Sequence, residues 1–293
     1  MSRRPEGSKP PDLFYDETEA RKYDSSSRMV NIQREITNRA IEMLNLPADR
    51  PSYVLDIGCG SGLSGQALEE AGHYWVGCDI SSSMLDVANQ RENEQGDLLK
   101  SDMGHGLPFR PGTFDGVISI SAIQWLCYSD SSDQNPMHRL NRFFSTLYGV
   151  LKKDARAVLQ FYPETSEQAV VIATAASKVG FAGGIVVDYP NSSKAKKYYL
   201  CLSFERSYQL PTAMGTTAGS AAGDSGTLTG VPPAESVRVV GRDKRTERRS
   251  QKPARPAVKS VDWIKNKKEQ RRKHGKEVKS DSKFSGRRRA GGF

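Results

Sequence analysis

The sequence predicts an α/β fold: an open, mostly parallel, seven-stranded sheet with one antiparallel strand and helices on both faces. Three observations carry that expectation. Short apolar runs alternate with stretches of helical period, the pattern of repeated strand–helix units. The first apolar run ends in glycines, VLDIGCGSGLSG over Val54–Gly65, which suits a tight strand-to-helix turn at the carboxyl end of a strand. The last two runs have no helical stretch between them, so one strand must run antiparallel.

The elements follow in order. Residues 1–12 are Pro-rich and polar and read as a mobile end, and Leu13–Tyr23 mixes aromatics with a short helix. Met29, Ile32, Ile36, Ala40, Met43 and Leu44 fall on one stripe of a helix that Pro47 stops. Tyr53–Ile57 is the first strand, Leu63–Ala71 a helix closed by Gly72, and His73–Asp79 the second strand. A helix over Ser83–Asn89 is capped by Ser81 or Ser82. Leu98–Asp102 and Phe114–Ser121 are strands three and four. A helix presenting Leu140, Phe143, Phe144 and Leu147 on one face precedes strand five, Ala155–Phe161. A helix over Glu167–Val179 ends at Gly180, and Gly184–Asp188 and Lys197–Leu202 complete the sheet.

Charge divides the chain sharply. Residues 236–293 hold 21 Lys and Arg against 6 Asp and Glu, a net of +15, whereas residues 1–235 hold 22 against 28, a net of −6. A basic tail of this density points to a polyanion bound through phosphate neutralisation, or to a nuclear-import signal. Between body and tail, residues 211–236 are rich in Gly, Ala, Ser and Thr and read as a flexible linker. Within the tail, Asp262–Lys273 reads as a short helix carrying Trp263, a docking anchor or a stacking ring. The 4 cysteines are scattered, without C-x-x-C, which argues against a disulfide framework or a zinc site within the chain. The amino-terminal stretch lacks the apolar segment of a secretory signal, and no run reaches the roughly 18 residues that span a membrane.

The glycine turn holds two overlapping patterns. From Gly60 it is G-x-G-x-x-G, the dinucleotide fingerprint, and from Gly58 it is G-x-G-x-G preceded by Asp56. A pyrophosphate needs backbone N–H groups and is repelled by a neighbouring acid. Asp56 instead suits a cation such as the α-ammonium of a methionine moiety, as in S-adenosyl-L-methionine. Asp79, at the end of the second strand, accepts ribose hydroxyls in either cofactor class. Asp102 and Met103 follow the third strand and suit an adenine amino group and face.

These features resemble the class I S-adenosylmethionine-dependent methyltransferases over roughly Val30–Phe204, and the resemblance implies their Rossmann-like fold. It also implies cofactor contacts from Asp56, Gly58, Cys59, Gly60, Gly62, Asp79, Ile80, Asp102, Met103 and Ser119. A longer set of phrases, among them PPDLFYDETEARKY, SRMVNIQ, FRPGTFDGVISISAIQWLC and GGIVVDYPNSSKAKKYYLCL, resembles the eukaryotic 18S ribosomal RNA guanine-N7 methyltransferases of small-subunit biogenesis. The likeness does not extend across the linker. It implies 18S rRNA and pre-40S particles as partners, a nuclear and nucleolar location with some cytoplasmic protein, and no membrane association. It further implies a small zinc-binding activator subunit, expected at the third-strand edge near Leu98–Asp102. The expected organisation is an extension, 1–29, contributing to the pocket; a methyltransferase domain, 30–210; the linker, 211–236; and a basic tail, 237–293.

The acceptor region after the fourth strand reads ISISAIQWLC, without N-P-P-Y and without the Pro-Cys dipeptide of cytosine-C5 enzymes. Guanine N7 carries a free in-plane lone pair, so attack needs alignment and no general base. The isolated His73, His105 and His138 therefore read as structural or surface residues. Trp125, Tyr15 and Tyr189 are candidates to hold a base, and Gln124 or Asn191 to read its edge; Trp125 reads equally well as plain core. Two other functions stay open at this point: a small-molecule methyltransferase, and an assembly factor whose binding outweighs its catalysis.

Overall fold

A computed structural model describes residues 4–91, 93–129, 135–215 and the backbone of 227–229, together with Lys265, Lys267, Lys268, Arg271 and Arg272. The chain divides into two units, Met1–Ser236 and Val237–Phe293. The described residues of the second unit are helical and fall within the expected Asp262–Lys273 segment. Trp263, the rest of the basic tail and most of the linker lie outside the described residues.

The first unit is a single sheet. Its strands are β1 (Tyr53–Ile57), β2 (Tyr74–Asp79), β3 (Gly96–Lys100), β4 (Phe114–Ile120), β5 (Leu151–Phe161), β6 (Ala182–Asp188), β7 (Lys197–Ser203) and β8 (Thr227–Thr229). They lie in the order β3-β2-β1-β4-β5-β7-β6-β8. The first five are mutually parallel, and β7 runs antiparallel between β5 and β6. All seven expected strands are therefore present, with β3 at one edge. It starts two residues earlier than its apolar residues suggest, because Gly96 already pairs with Trp75. An eighth strand, the short β8, pairs antiparallel with β6 inside the stretch expected to be only linker.

Helices α3 (Ser27–Leu44), α4 (Leu63–Glu70) and α5 (Ser82–Asn89), with α6 (Pro136–Val150) and α7 (Ser166–Val179), cover the two faces. On one face Leu140, Phe143, Phe144 and Leu147 of α6 are fully buried against Leu55, Ile57, Val117 and Leu159. On the other, Ile36, Ala40, Met43 and Leu44 of α3 pack on Val54, Ile118, Val158 and Tyr199. The alternation along β1 sends Leu55 and Ile57 to the first face and Val54 and Asp56 to the second. Ser26 caps α3 by accepting from Met29 N–H, and Ser81 caps α5 by accepting from Met84 N–H. The helix α3 stops at Leu44 because Asn45 turns left-handed, at φ 50°.

The amino-terminal segment corrects the expectation of a mobile end. Pro5–Gly7 forms a 3-10 turn, followed by α1 (Pro11–Phe14) and α2 (Glu17–Ser25). Proline at the start of each of the first two elements fixes φ for a helical turn. Arg4 donates to the carbonyls of Tyr162 and Pro163 at 2.8 and 3.0 Å, and Glu6 is buried. A Pro-rich stretch is thus ordered by long-range contacts that local composition does not show.

Gly65, the third glycine of the dinucleotide pattern, lies inside α4 and serves packing. A Cβ there would come within 2.2 Å of the Trp75 ring, and one at Gly96 within 2.1 Å. The Trp75 indole fills the space that these missing side chains leave, and its Nε1 donates to Glu69 at 3.1 Å. Gly65→Ala should overpack this site and cost about 1–3 kcal/mol. Urea denaturation measures it; a variant as stable as the wild type would contradict this packing role.

Candidate functional site

The carboxyl ends of β1, β2 and β4 open into a cleft of about 890 Å³, counting its solvent-open mouth. The glycine turn forms its floor, and Gly58, Gly60 and Gly62 all adopt positive φ. At Gly58 the demand is double: φ is +72°, and a Cβ would lie 2.3 Å from that of Ala122.

The turn does not present a phosphate cradle. Gly58 and Cys59 N–H both donate to the Cys78 carbonyl, Gly62 N–H donates to Cys59, and Gly60 N–H donates to the Asp79 carboxylate at 3.0 Å. Four N–H groups of the turn are thus engaged within the protein, which leaves fewer donors for a pyrophosphate.

Asp56 lies beneath the turn on the α4 side of the sheet and is fully buried. Its Oδ2 accepts from Ser64 Oγ at 2.5 Å, while its Oδ1 is buried without a hydrogen-bond partner. Burial pushes its carboxyl from the ordinary 3.8 up to about 7, against the opposing Ser64 hydrogen bond, with the charge of Asp79 adding to the rise. Asp79 accepts from Ser81 N–H at 2.8 Å as well as from Gly60, and burial raises its pKa too. Both carboxylates therefore favour a ligand that supplies donors or positive charge. Ser61 Oγ, in the cleft wall, is another buried polar atom without a partner.

Of the expected cofactor residues, Gly58, Cys59, Gly60, Asp79, Ile80, Asp102 and Met103 line the cleft. Asp102 Oδ1 accepts from Gly104 N–H at 2.8 Å and from Arg139 at 3.1 Å, and its Oδ2 accepts from the same Arg139 nitrogen at 3.3 Å. Gly62 lies in the turn behind the cleft wall. Ser119 is fully buried, with its hydroxyl donated to the Ile57 carbonyl at 2.7 Å; the cleft is reached instead by Ile120 and Ser121.

Among the acceptor candidates, Trp125 and Tyr15 line the cleft, their rings 6.0 Å apart. Phe14 and Tyr23 extend the same aromatic cluster. Burial raises the Tyr15 phenol to about 12, so it is a neutral donor and a stacking face. Trp125 is only 7% exposed and combines core packing with cleft lining. Gln124 is buried, and its amide nitrogen is already donated to Glu6 at 3.0 Å and to the Ser121 carbonyl at 2.8 Å. Tyr189 and Asn191 are exposed on the β6–β7 turn and do not line the cleft, and Tyr189 N–H bonds to the Met214 carbonyl. His73 is buried and accepts from Ser52 N–H, a structural role.

Sequence reading missed Gln33 and Thr37, which reach the cleft from α3. Their signal was present as two polar residues one turn apart beside the apolar stripe. It also missed Arg91, which donates to the Ser61 carbonyl at 2.5 Å and pairs with Asp24, tying α2 to the glycine turn. No single-sequence pattern marks that link.

Residues 55–159 match the family described as "Methyltransferase domain", and residues 205–291 match "Methyltransferase involved in Williams-Beuren syndrome". The second match spans the linker that the sequence resemblance did not cover. The chain is 52% identical over 290 residues to the 18S rRNA (guanine-N7)-methyltransferase of Mus musculus, covering 98% of this chain and 97% of that protein. It is 46% identical to the 18S rRNA (guanine(1575)-N7)-methyltransferase of Saccharomyces cerevisiae, covering 98% of each. A Haemonchus contortus phosphoethanolamine N-methyltransferase, solved with S-adenosylhomocysteine, superposes with a TM-score of 0.50 at 18% identity. It covers 64% of this chain and 57% of that one, a likeness of fold.

The raised pKa of Asp56 gives a stability prediction. As pH rises, the unfolded chain ionises this carboxyl near 3.8 and the folded chain near 7, so folding stability falls across that window. The contribution is fully present below the lower value. Asp56→Asn should make the decline shallower, with the remainder due to Asp79. Denaturation midpoints measured across that range check it, and parallel wild-type and variant profiles would refute it.

Proposed function

The chain belongs to the 18S rRNA (guanine-N7)-methyltransferases, and from that premise we infer how its own residues carry the activity. It is an S-adenosyl-L-methionine-dependent enzyme that methylates guanine N7 in 18S rRNA. The observation that fits the cofactor is the orphaned Asp56 Oδ1, a buried acceptor beneath a turn whose own donors are engaged. S-adenosylmethionine supplies the methyl group as an electrophile on a sulfonium.

Asp56 takes the α-ammonium, directly or through water, and that contact keeps its carboxylate ionised at neutral pH. Asp79 accepts the ribose hydroxyls from a position already fixed by Gly60 and Ser81. Asp102 and Met103 hold the adenine, and Gly58, Cys59, Gly60, Gly62 and Ile80 shape the channel between. Ser119 acts one layer below by fixing the Ile57 carbonyl. Tyr15 and Trp125 provide the apolar faces that hold the target base, which unstacks from its RNA to reach them. N7 carries its lone pair in the ring plane, so no proton leaves before attack and the residues have only to align the base. This accounts for a cleft whose acids serve binding. A small-molecule acceptor would leave the +15 tail without a role.

The finer assignments rest on particular features. A zinc-binding activator subunit pairs with the β3 edge, whose outer backbone groups have no strand beside them among the described residues and whose Leu98 and Leu99 are only half-buried. The basic tail, 237–293, contacts pre-40S RNA and directs the protein to the nucleus and nucleolus.

Methyl transfer from labelled cofactor to 18S rRNA, followed by borohydride reduction and aniline cleavage, tests the activity. The wild type with activator should give scission at the methylated guanine, and Asp79→Ala should give little or none. Absence of scission with the wild type would overturn the assignment. Equal solubility and cofactor affinity with and without activator would remove that partner. Deleting the residues after Ser236 should flatten the salt dependence of RNA binding while cofactor affinity persists; an unchanged slope would contradict the tail's role.

A further inference from the structure

Two buried oxygens beside the aromatic cluster have no donor. Glu6 and Gln124 are joined by one hydrogen bond, from Gln124 Nε2 to Glu6 Oε1 at 3.0 Å. The other oxygen of each group, Glu6 Oε2 and Gln124 Oε1, is shut off from solvent and has no hydrogen-bond partner. Native proteins leave few buried acceptors unpaired, and those they keep call for an explanation in function. Here two sit in neighbouring groups, one of them a carboxylate, next to Trp125 in the chain. Neither residue lines the cleft as it stands, and a ligand that satisfies both oxygens must carry two donors.

The Watson–Crick edge of guanine has that pattern, an N1–H beside an N2 amino group. Adenine places an acceptor at N1, which would face the Glu6 carboxylate. N7 lies on the opposite side of the purine, so a base held by its N1/N2 edge leaves N7 free for attack. We propose that Glu6 recognises the target guanine by accepting N1–H on Oε2, with Gln124 Oε1 accepting the N2 amino group. This rests on the guanine-N7 reading above and adds to it the groups that select guanine.

The amino-terminal turn thereby becomes part of the acceptor site. It crosses the ends of the strands as a strap, pinned by Arg4 to the carbonyls of Tyr162 and Pro163. Because both oxygens are closed off, a base reaches them when the strap hinges away and closes again over it.

The test compares an 18S rRNA fragment carrying guanosine or inosine at the methylated position. The enzyme is the full chain with activator, each variant first checked for wild-type affinity for S-adenosylhomocysteine. Inosine keeps N1–H and N7 and lacks only the N2 amino group. The wild type should lose about 10- to 100-fold in kcat/KM on inosine. Glu6→Gln, which keeps the shape and the Gln124 contact, should lose a similar factor on both substrates. Gln124→Ala should lose far more on guanosine than on inosine, bringing their ratio toward one; a purely structural role would lower both alike. A wild type that treats inosine and guanosine equally, or a fully active Glu6→Gln enzyme, would overturn the proposal. A wild type that forms no 7-methylguanine would overturn the reading beneath it, before any variant is compared.

Discussion

A carboxylate that cannot reach water organises this molecule. Asp56 points to the α4 side of the sheet from a strand with neighbours on both edges, and among the described residues one serine hydroxyl is its only hydrogen-bond donor. The cost of that burial appears in its pKa, raised to about 7. The glycine turn above it has positive φ at Gly58, Gly60 and Gly62, which lets the backbone fold over the carboxylate and spend its N–H groups internally. A turn that resembles a phosphate cradle in sequence thereby spends four of its donors on the protein itself.

The other walls of the cleft are held in place from the amino-terminal side. Arg91 joins Asp24 to the Ser61 carbonyl, and Ser81 donates its hydroxyl to the Tyr15 carbonyl at 2.8 Å while capping α5. The amino-terminal segment that carries Tyr15 and Asp24 is therefore fixed to the turns that follow β1 and β2. The walls of the cleft share one set of supports. Alignment of a nucleophilic nitrogen with a methyl group depends on fixed distances, and such supports provide them.

Much of this was legible in the chain. The strand–helix alternation was plain because buried parallel strands need continuous apolar runs and their covering helices need a single apolar stripe. Asp79 could be placed at the cleft because strand ends in such sheets open into it, whereas Asp56, one residue before its strand end, lies fully buried beneath the turn and off the cleft surface. Reading failed where order comes from distant contacts. The Pro-rich start has no periodicity of its own and is held by the carbonyls of Tyr162 and Pro163. β8 is too short to show an apolar pattern. Ser119 was placed one register off, because alternation along β4 turns its hydroxyl under the floor and leaves Ile120 and the positive-φ Ser121 at the cleft. Gly65 matched a cofactor pattern for a reason unrelated to the cofactor, the bulk of Trp75.

We propose that Asp56 makes the glycine turn an ammonium site. Calorimetric titration of the protein with S-adenosylhomocysteine and with its analogue lacking the α-amino group tests this most directly. The account predicts that removing the amino group weakens binding by tenfold or more, on the scale of about 1.5–3 kcal/mol for a hydrogen bond to a charged group. It also predicts that most of this difference vanishes in Asp56→Asn. Equal affinity for the two ligands in the wild-type protein would contradict it.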